Sequence, residues 1–388
     1  MQRVYLDNNA TTPVLPEIFE AMLPYFREHF GNASSIHHHG QATRAAVEDA
    51  RQSVGVLLGA NASEIVFTSG GTESDNLAIS GLVAPGDHVI TSAIEHHAVL
   101  HATKHLEEIG CEVTVLPVDG QGLVDPNDVK RSLRSDTELI SVMMANNETG
   151  VLQPVEEIGR IANEADVLFH TDAVQAAGKV PIDVRRIGCD ALTISGHKIH
   201  SAQGTGALYV KKGTKLQPLF YGGRHERSRR AGTENVPGIV GLGKAAQLAK
   251  EGLDRGEDQA ISALRDRFEQ GILAQVEEAG VTGQGAPRVP NTTNIHFDHI
   301  EGESLVIALD LKGLAVSTGA ACSSGAIEPS HVLIAMGLPV DQARASIRFS
   351  LGRQTSGSEI DFALALVPET VARLRAISPR FGKQVATR

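Results

Sequence analysis

The chain has 388 residues, 41% of them hydrophobic and 21% charged, which is typical of a globular protein large enough for two or three domains. Its 46 acidic and 35 basic residues leave a net charge of −11, so we expect neither nucleic acid nor an anionic membrane as a partner, since both need a basic surface. No apolar run reaches the ~18 residues of a membrane-spanning helix, and the N-terminus lacks a signal-peptide core. The three cysteines are too few for a disulfide framework, and we expect a cytoplasmic protein with free thiols.

Short apolar runs typical of buried strands alternate with helical patterns over roughly the first half of the chain. The runs lie at 64–69, 87–92, 111–118, 138–145, 167–172, 191–196 and 207–210. This alternation predicts an α/β fold with a mostly parallel sheet flanked by helices. Because ligands bind beyond the carboxyl ends of such strands, the residues that follow each run are candidate site residues.

The pattern changes near residue 251. A charged helix pattern at 251–272 precedes a turn-rich stretch at 283–294, and further strands are predicted at 294–297 and 314–318. We therefore predict a large domain at 15–255 and a smaller α+β domain formed by residues 1–14 and 256–388.

Lys198 follows the strand at 191–196, in the sequence Ser-Gly-His-Lys, where its neighbours are small or apolar. A lysine in a partly desolvated pocket has a lowered pKa and can form a Schiff base with an aldehyde cofactor. The alternative is a lysine that extends from a strand end to solvent. A cofactor with a phosphate and a pyridine ring would also need an anion cradle, a carboxylate for the ring nitrogen and a flat group against the ring.

The strand at 64–69 is followed by a candidate anion cradle. Gly70 and Gly71 allow close approach of the backbone, and Thr72 opens a helix whose free N–H groups favour an anion. Thr72 and Asp75 also fit a capping box, so a simple helix start is the alternative interpretation.

Two further strand ends carry the remaining groups. Asp172 closes a buried strand, where an unpaired charge is costly, and either His96 or His97 follows another strand as a candidate flat group. Asp172 as a helix cap, and the histidines as ordinary helix-terminal residues, are the alternatives.

Histidine clusters and cysteines complete the candidates. The spacing of His97, His101 and His105 can hold a metal, but no carboxylate or thiolate stands at ligand spacing, so we expect no metal site. Cys111 and Cys189 lie at apolar strand starts and are interpreted as packing residues. Cys322 lies among small polar residues, where a thiol is accessible and reactive, or is simply a small turn residue.

A series of motifs along the chain resembles one known family. The motifs are “YLDNNATTP”, “EIVFTSGGTESDNLAI”, “EHHAVL”, “ANNETG”, “FHTDAVQ”, “SGHK”, “RRAGTENV”, “EPSHVL” and “IRFSLGR”. Together they resemble the cysteine desulfurases among the class V, fold-type I pyridoxal-phosphate enzymes. “NNETG”, “HTDAVQAAGKVPID” and “RRAGTENV” are most similar to the NifS-like, nitrogen-fixation branch. The resemblance covers about residues 4–379.

The resemblance implies a pyridoxal 5′-phosphate cofactor held covalently by Lys198. His96 would stack on the pyridine ring and help in proton transfer, Asp172 would pair with the ring nitrogen, and Gln175 would donate to the phenolic oxygen. The phosphate would be held by Gly71, Thr72, Ser195, His197 and, from a second subunit, Thr233. Asn147, which also borders the cofactor, and Arg348 would bind the substrate carboxylate, and Cys322 would be the nucleophile.

The implied reaction converts L-cysteine to L-alanine and leaves a persulfide on Cys322. Its sulfur would pass to an iron–sulfur scaffold protein, with nitrogenase maturation as one use, and the enzyme would be a homodimer. One departure from the family pattern is Ser201-Ala202-Gln203, which replaces a proline and a second lysine after “SGHK” and affects the rigidity and charge of that loop. The alternatives are a selenocysteine lyase or a small-amino-acid aminotransferase on the same scaffold, or a non-catalytic binding subunit.

Overall fold

The computed structural model describes residues 3–318 and 328–377. In that part of the chain the strands are β1 (Val4–Tyr5), β2 (Ile65–Thr68), β3 (His88–Ser92), β4 (Glu112–Leu116), β5 (Thr137–Ser141), β6 (Leu168–Asp172), β7 (Ala191–Ser195), β8 (Gly206–Val210), β9 (Ala279–Val281), β10 (Thr292–Phe297), β11 (Leu314–Ala315) and β12 (Ser346–Ser350).

Helices separate most of these strands. They are α1 (Pro16–Met22), α2 (Pro24–Arg27), α3 (His38–Leu58), α4 (Gly71–Leu82), α5 (His97–Glu108), α6 (Pro126–Ser132), α7 (Val155–Glu164), α8 (Val184–Ile187), α9 (Val236–Asp254), α10 (Glu257–Gln275), α11 (Gly302–Asp310), α12 (His331–Ala335), α13 (Val340–Arg344) and α14 (Gly357–Ile377). None of the helices in the described ranges is both long and apolar enough to cross a bilayer.

A seven-stranded sheet in the order β2-β8-β7-β6-β5-β3-β4 forms the centre of the fold. The strands from β7 to β4 are parallel, whereas β8 is antiparallel to both of its neighbours. All five residues of β3, β7 and β8 are buried, because helices cover both faces of the sheet. The predicted α/β fold with a mostly parallel, helix-flanked sheet is confirmed.

Two details of the C-terminal prediction are wrong. The charged pattern at 251–272 is not one helix, because α9 ends at Asp254 and α10 begins at Glu257. Gly256 between them has a φ of 73°, a left-handed conformation that glycine adopts without steric cost. The strand predicted at 314–318 is only the two residues of β11, which pairs in parallel with β1.

A second, smaller hydrophobic core lies apart from the central sheet. It is built on the antiparallel sheet β12-β10-β9 and includes Leu6, Phe297 and the ring pair Phe268 and Phe349, whose centroids are 4.8 Å apart. Residues near the N-terminus join this core, because β1 pairs with β11 and Leu6 packs inside. The chain then continues along the carboxyl edge of the central sheet.

One of the two edges of the central sheet is strand β2, which pairs only with β8 among the described strands. Glu226 covers this edge, since its carboxylate accepts from the N–H of Phe67 (2.9 Å) and from Arg51 Nη1 (2.7 Å) and Nη2 (2.8 Å). Arg51 also donates to the carbonyl of Ile65 (2.9 Å). Two outward backbone groups of the strand are therefore bound by side chains.

Candidate active site

A cavity of about 400 Å³ opens at the carboxyl ends of the parallel strands. It brings together most of the residues that the sequence singled out, namely Gly71, Thr72, His96, Asn147, Asp172, Gln175, Ser195, His197, Lys198 and Arg348. Thr233 lies elsewhere, in a depression that also contains Arg230 and Glu234. Cys322 lies outside the described residues.

Lys198 ends a short 3₁₀ turn directly after β7, which places its amine in the cavity. Its Nζ donates to the backbone carbonyls of Asn9 (2.5 Å) and Ala10 (2.8 Å). These two hydrogen bonds hold the amine at the cavity, where it can react with a carbonyl compound.

The anion cradle lies beside this lysine. Helix α4, of twelve residues, begins at Gly71, and a Cβ on Gly71 would lie only 2.9 Å from Val174 Cγ2. Ser195 Oγ is buried and has no hydrogen-bond partner among the described residues. His197 accepts from or donates to Thr11 Oγ1 (3.1 Å), and its pKa is lowered to about 4 by burial and by the charge of Lys198. An unpartnered hydroxyl at a helix N-terminus suits a phosphate.

The capping box predicted for this helix is wrong. Gly70 occupies the N-cap position before the first helical turn, and it has no side chain that could cap the helix. Glu73 instead accepts from the N–H of Ser69 (2.8 Å). Asp75 is buried and lines the cavity, with Oδ1 3.6 Å from Nε2 of His170. The sequence pattern failed here because Asp75 faces the sheet instead of the helix end.

Asp172 ends β6 on the floor of the cavity, and its Oδ1 accepts from the N–H of Val174 (2.8 Å). Burial raises the pKa of this carboxyl to about 6, although the backbone hydrogen bond and Lys198 both favour its charged form. A protonated pyridine nitrogen would supply the missing positive partner, because burying a carboxylate is costly unless it is paired.

His96 caps the N-terminus of α5, where its Nδ1 accepts from the N–H of Ala98 (3.1 Å). Burial and the nearby charge of Lys198 lower its pKa to about 4. The ring is therefore neutral near pH 7, and a neutral imidazole is suited to stacking and to proton exchange. His96, and not His97, lines the cavity. His96 is thus both a helix-capping residue and a residue of the candidate site.

Arg348 lies at the opposite end of the cavity, on β12 of the smaller sheet. Its Nη1 donates to the carbonyl of Asn147 (3.1 Å) and its Nη2 to Asp7 Oδ1 (2.9 Å). Nε is buried and has no hydrogen-bond partner within the described residues. An unsatisfied guanidinium N–H beside a polar cavity favours a ligand carboxylate.

Sequence reasoning missed Asn9, which contacts several of these groups. Its carbonyl accepts from Lys198 and from Gln175 Nε2 (3.0 Å), and its amide donates to the carbonyl of Asn147 (3.1 Å). Lys179, also missed, donates to Asn9 Oδ1 (3.1 Å). The only available signal was “DNNATTP”, a polar stretch without helical or strand periodicity, and nothing in it indicates contact with residues so distant in sequence.

The histidines of α5 do not form a metal centre. The ring centroids of His97 and His101 lie 5.2 Å apart, and those of His97 and His331 lie 4.9 Å apart. Across residues 3–318 and 328–377, no group of three or more histidine, cysteine or acidic side chains has a geometry that could hold a metal ion.

Known proteins resemble this chain in sequence and in fold. The model of the “Aminotransferase class-V” family matches residues 4–362. The chain is 49% identical over 382 residues to “Cysteine desulfurase IscS” of Dictyoglomus turgidum, covering 97% of each protein. A solved “NIFS-LIKE PROTEIN” is 36% identical with a TM-score of 0.89, over 96% of this chain and 100% of that one. “SspA in complex with cysteine” is 37% identical with a TM-score of 0.80, over 91% and 99%.

Enzymes of this family use pyridoxal 5′-phosphate, and the donor set of the cavity fits that group. The amine of Lys198, the unpartnered Ser195 Oγ and the buried Asp172 match its aldehyde, phosphate and ring nitrogen. The chain belongs to the class V aminotransferase family, and cysteine desulfurases are among its relatives within that family.

Proposed function

We propose that the protein is a cysteine desulfurase, which converts L-cysteine to L-alanine and leaves a persulfide on Cys322. The observation that carries the proposal is the placement of Lys198, Asp172, His96 and Arg348 around one cavity, in a chain 49% identical to a cysteine desulfurase. A non-catalytic binding subunit would have no need for all four of these groups.

Pyridoxal 5′-phosphate would be held by Lys198 through its aldehyde and by Gly71, Thr72, Ser195 and His197 through its phosphate. Asp172 would pair with the ring nitrogen, Gln175 would donate to the phenolic oxygen and His96 would cover the ring. When bound, the cofactor supplies an electron sink for bonds next to the substrate α-carbon. Thr233 would reach the phosphate of a second subunit, which agrees with its position outside the cavity of its own chain.

The substrate carboxylate would bind Arg348, whose free Nε and adjacent Nη form a fork, with Asn147 beside it. This contact orients the substrate α-carbon toward the amine of Lys198. Lys198, once released from its covalent role, would take the α-proton, and the neutral ring of His96 would exchange protons nearby.

The sulfur step is balanced by the substrate and Cys322 alone. The Cys322 thiolate forms a bond to the substrate sulfur as the bond between that sulfur and the β-carbon breaks. The sulfur is oxidised and the carbon reduced, and the carbon fragment takes up a proton and leaves as L-alanine. The protein keeps a persulfide, so no external oxidant is needed.

The test separates substrate binding from sulfur transfer. We expect Cys322→Ala to bind cofactor and to change its absorbance on addition of L-cysteine, without releasing alanine. Cys111→Ala and Cys189→Ala are the matched controls and should retain the reaction, because both thiols are buried and burial raises the pKa of each. Alanine release by Cys322→Ala at the unmodified rate would instead favour the selenocysteine lyase alternative, because an aminotransferase would release a keto acid and not alanine.

We also propose a homodimer and an iron–sulfur scaffold protein as the sulfur acceptor. Large apolar side chains that are exposed on this single chain support the homodimer, among them Phe26 (62% exposed), Phe30 (70%) and Ile36 (91%). A use in nitrogenase maturation rests on the NifS-like wording of the motifs. The cytoplasmic location, the division into two domains and the site roles given above stay predictions.

A further inference from the structure

Lys179 lies beside Gln175 and Asn9, at the end of the turn that follows β6. Its Nζ donates to Gln175 Oε1 (2.6 Å) and to Asn9 Oδ1 (3.1 Å). Burial, together with the positive charges of Lys198 and Arg348, holds its pKa well below the usual value. A half-buried amine whose neighbours are cations and amide oxygens is not one half of an ion pair.

The contacts of this amine fix the orientation of two amides. An amine that donates two hydrogen bonds must face the oxygen of each amide and not the nitrogen. The nitrogen of Gln175 is thereby turned away from Lys179, and Nε2 donates to the carbonyl of Asn9 (3.0 Å) at the wall of the cavity. The same carbonyl accepts from the amine of Lys198 (2.5 Å).

Asn9 is held from its other sides as well. Asn291 Nδ2 donates to Asn9 Oδ1 (3.1 Å), while Asn9 Nδ2 donates to Thr292 Oγ1 (2.8 Å). Of the two amides, that of Gln175 therefore depends more on Lys179, because its oxygen has no other donor among the hydrogen bonds of the described residues.

We propose that Lys179 is a positioning residue, which fixes the amide of Gln175 with its nitrogen toward the cofactor's phenolic oxygen. This inference rests on the proposed function, in which Gln175 donates to that oxygen. Lys179 acts through Gln175 and does not touch the substrate or the reacting atoms.

The expected effect appears in the visible spectrum of the bound cofactor. Lys179→Met keeps an apolar chain of similar length but removes the donor, so the Gln175 amide can turn and present its oxygen. Loss of a hydrogen bond to the phenolic oxygen destabilises its anionic form. We expect the apparent pKa of the visible absorbance to rise by about half a unit or more, with weaker cofactor binding on reconstitution.

A double-mutant cycle tests whether Lys179 acts through Gln175. The four proteins are the unmodified enzyme, Lys179→Met, Gln175→Met and the double variant, each titrated spectroscopically with cofactor bound. Lys215→Met, at an exposed lysine, is the matched control and should leave the titration unchanged. Far-UV circular dichroism checks folding, and Lys179→Leu, which also removes the donor, replaces Lys179→Met if that variant does not fold.

The outcomes distinguish this inference from the proposed function. We expect both single variants to raise the apparent pKa and Lys179→Met to add nothing in the Gln175→Met background. A shift in Gln175→Met but none in folded Lys179→Met would overturn the positioning role alone. A full additional shift in the double variant would do the same. No shift in either single variant would refute the role of Gln175 in the proposed function and the inference with it.

Discussion

Three carboxyl groups, those of Asp75, Glu95 and Asp172, are buried close enough to influence one another, and those of Asp75 and Asp172 line the cavity. The charge of Asp172 raises the pKa of both Asp75 and Glu95, in addition to the larger effect of burial. Burial and this repulsion favour the protonated forms of Asp75 and Glu95. Asp172, with a pKa of about 6 and Lys198 nearby, ionises more readily than Glu95, whose pKa is about 8.

Glu95 makes this arrangement measurable. Ser92 Oγ (2.5 Å) and the N–H of Met143 (2.9 Å) donate to its Oε1, whereas Oε2 has no partner among the described residues. The native protein keeps the Glu95 proton up to about pH 8, but the unfolded chain loses it near 4.5. The native state thus binds the extra proton, and the free energy of unfolding falls as pH rises through this window.

We expect Glu95→Gln to remove this contribution, which is about 1.4 kcal/mol per pH unit between these two pKa values. The measurement is chemical denaturation of cofactor-free protein at several pH values within the window. Glu107→Gln, at an exposed glutamate of α5, is the control. Equal slopes for Glu95→Gln and the unmodified protein would show that Glu95 is ionised in the native state.

Arg348→Ala should impair substrate binding before any chemistry. Removal of one partner of a buried charge pair costs on the order of 2–5 kcal/mol, so we expect KM for L-cysteine to rise at least ~30-fold. Arg348→Lys should recover only part of this loss, because an ammonium lacks the planar fork. Arg373→Ala, at an exposed arginine of α14, is the control for a lost surface charge. An unchanged KM in Arg348→Ala would contradict the carboxylate role.

Among the individual site residues, those at strand ends could be predicted from the sequence, because a short apolar run marks the strand that each of them follows. Lys198, Asp172 and His96 each follow a short apolar run, and the parallel sheet brings such positions to one edge. Asn9, Lys179 and Asp75 could not be predicted in the same way. Their contacts depend on how the N-terminal stretch and α4 pack against the sheet, which no short-range periodicity encodes.

The elements show where helix packing limits the sequence most strongly. Gly159 on α7 faces the carbonyl of Ile187 at the end of α8, and a Cβ on Gly159 would lie 1.9 Å from that oxygen. The two helices therefore approach one another as closely as their backbones allow. The break between α9 and α10 has a local cause and does not come from helix packing. Gly256 adopts a left-handed conformation, which ends the helical path, although the charge pattern predicts one continuous helix.

Gly159→Ala should force α7 and α8 apart. Overpacking against backbone costs about 1–3 kcal/mol, occasionally more, and we expect a lower midpoint of thermal unfolding with little change in KM. Gly357→Ala is the matched control, because a Cβ at this first residue of α14 would meet only the Arg267 side chain, at 3.6 Å. Equal midpoints for the two variants would mean that α8 moves without cost.

In the described part of the chain, separate hydrophobic cores lie against the central sheet and around the smaller sheet, and strands of both sheets contribute residues to the cavity. Lys198 and Asp172 belong to strands of the central sheet, whereas Arg348 belongs to a strand of the smaller one. The boundary predicted at residue 255 coincides with the break between α9 and α10, but the domain division itself stays a prediction. The sequence pattern indicates where the alternation of strands and helices ends, near residue 251. It contains no information on which N-terminal residues join the core of the smaller sheet.

The homodimer proposal predicts complementation between two inactive variants. If Thr233 completes the site of a second subunit, a hybrid of Lys198→Ala and Thr233→Ala chains contains one intact site. Random mixing should then restore about a quarter of the unmodified activity, measured as alanine release after co-refolding. Each variant alone, treated identically, is the control. No recovery in hybrids shown to be dimers by sedimentation would place Thr233 outside the partner's site.

The ion pair of Arg51 and Glu226, which covers the free edge of strand β2, affects how other chains could pair with the central sheet. By binding the outward N–H of Phe67 and the outward carbonyl of Ile65, these side chains occupy the hydrogen-bonding positions that an added strand would use. The central sheet cannot be extended there by another chain without first breaking a buried salt bridge. That edge of the sheet therefore presents no fully open strand on which fibrous aggregates could grow.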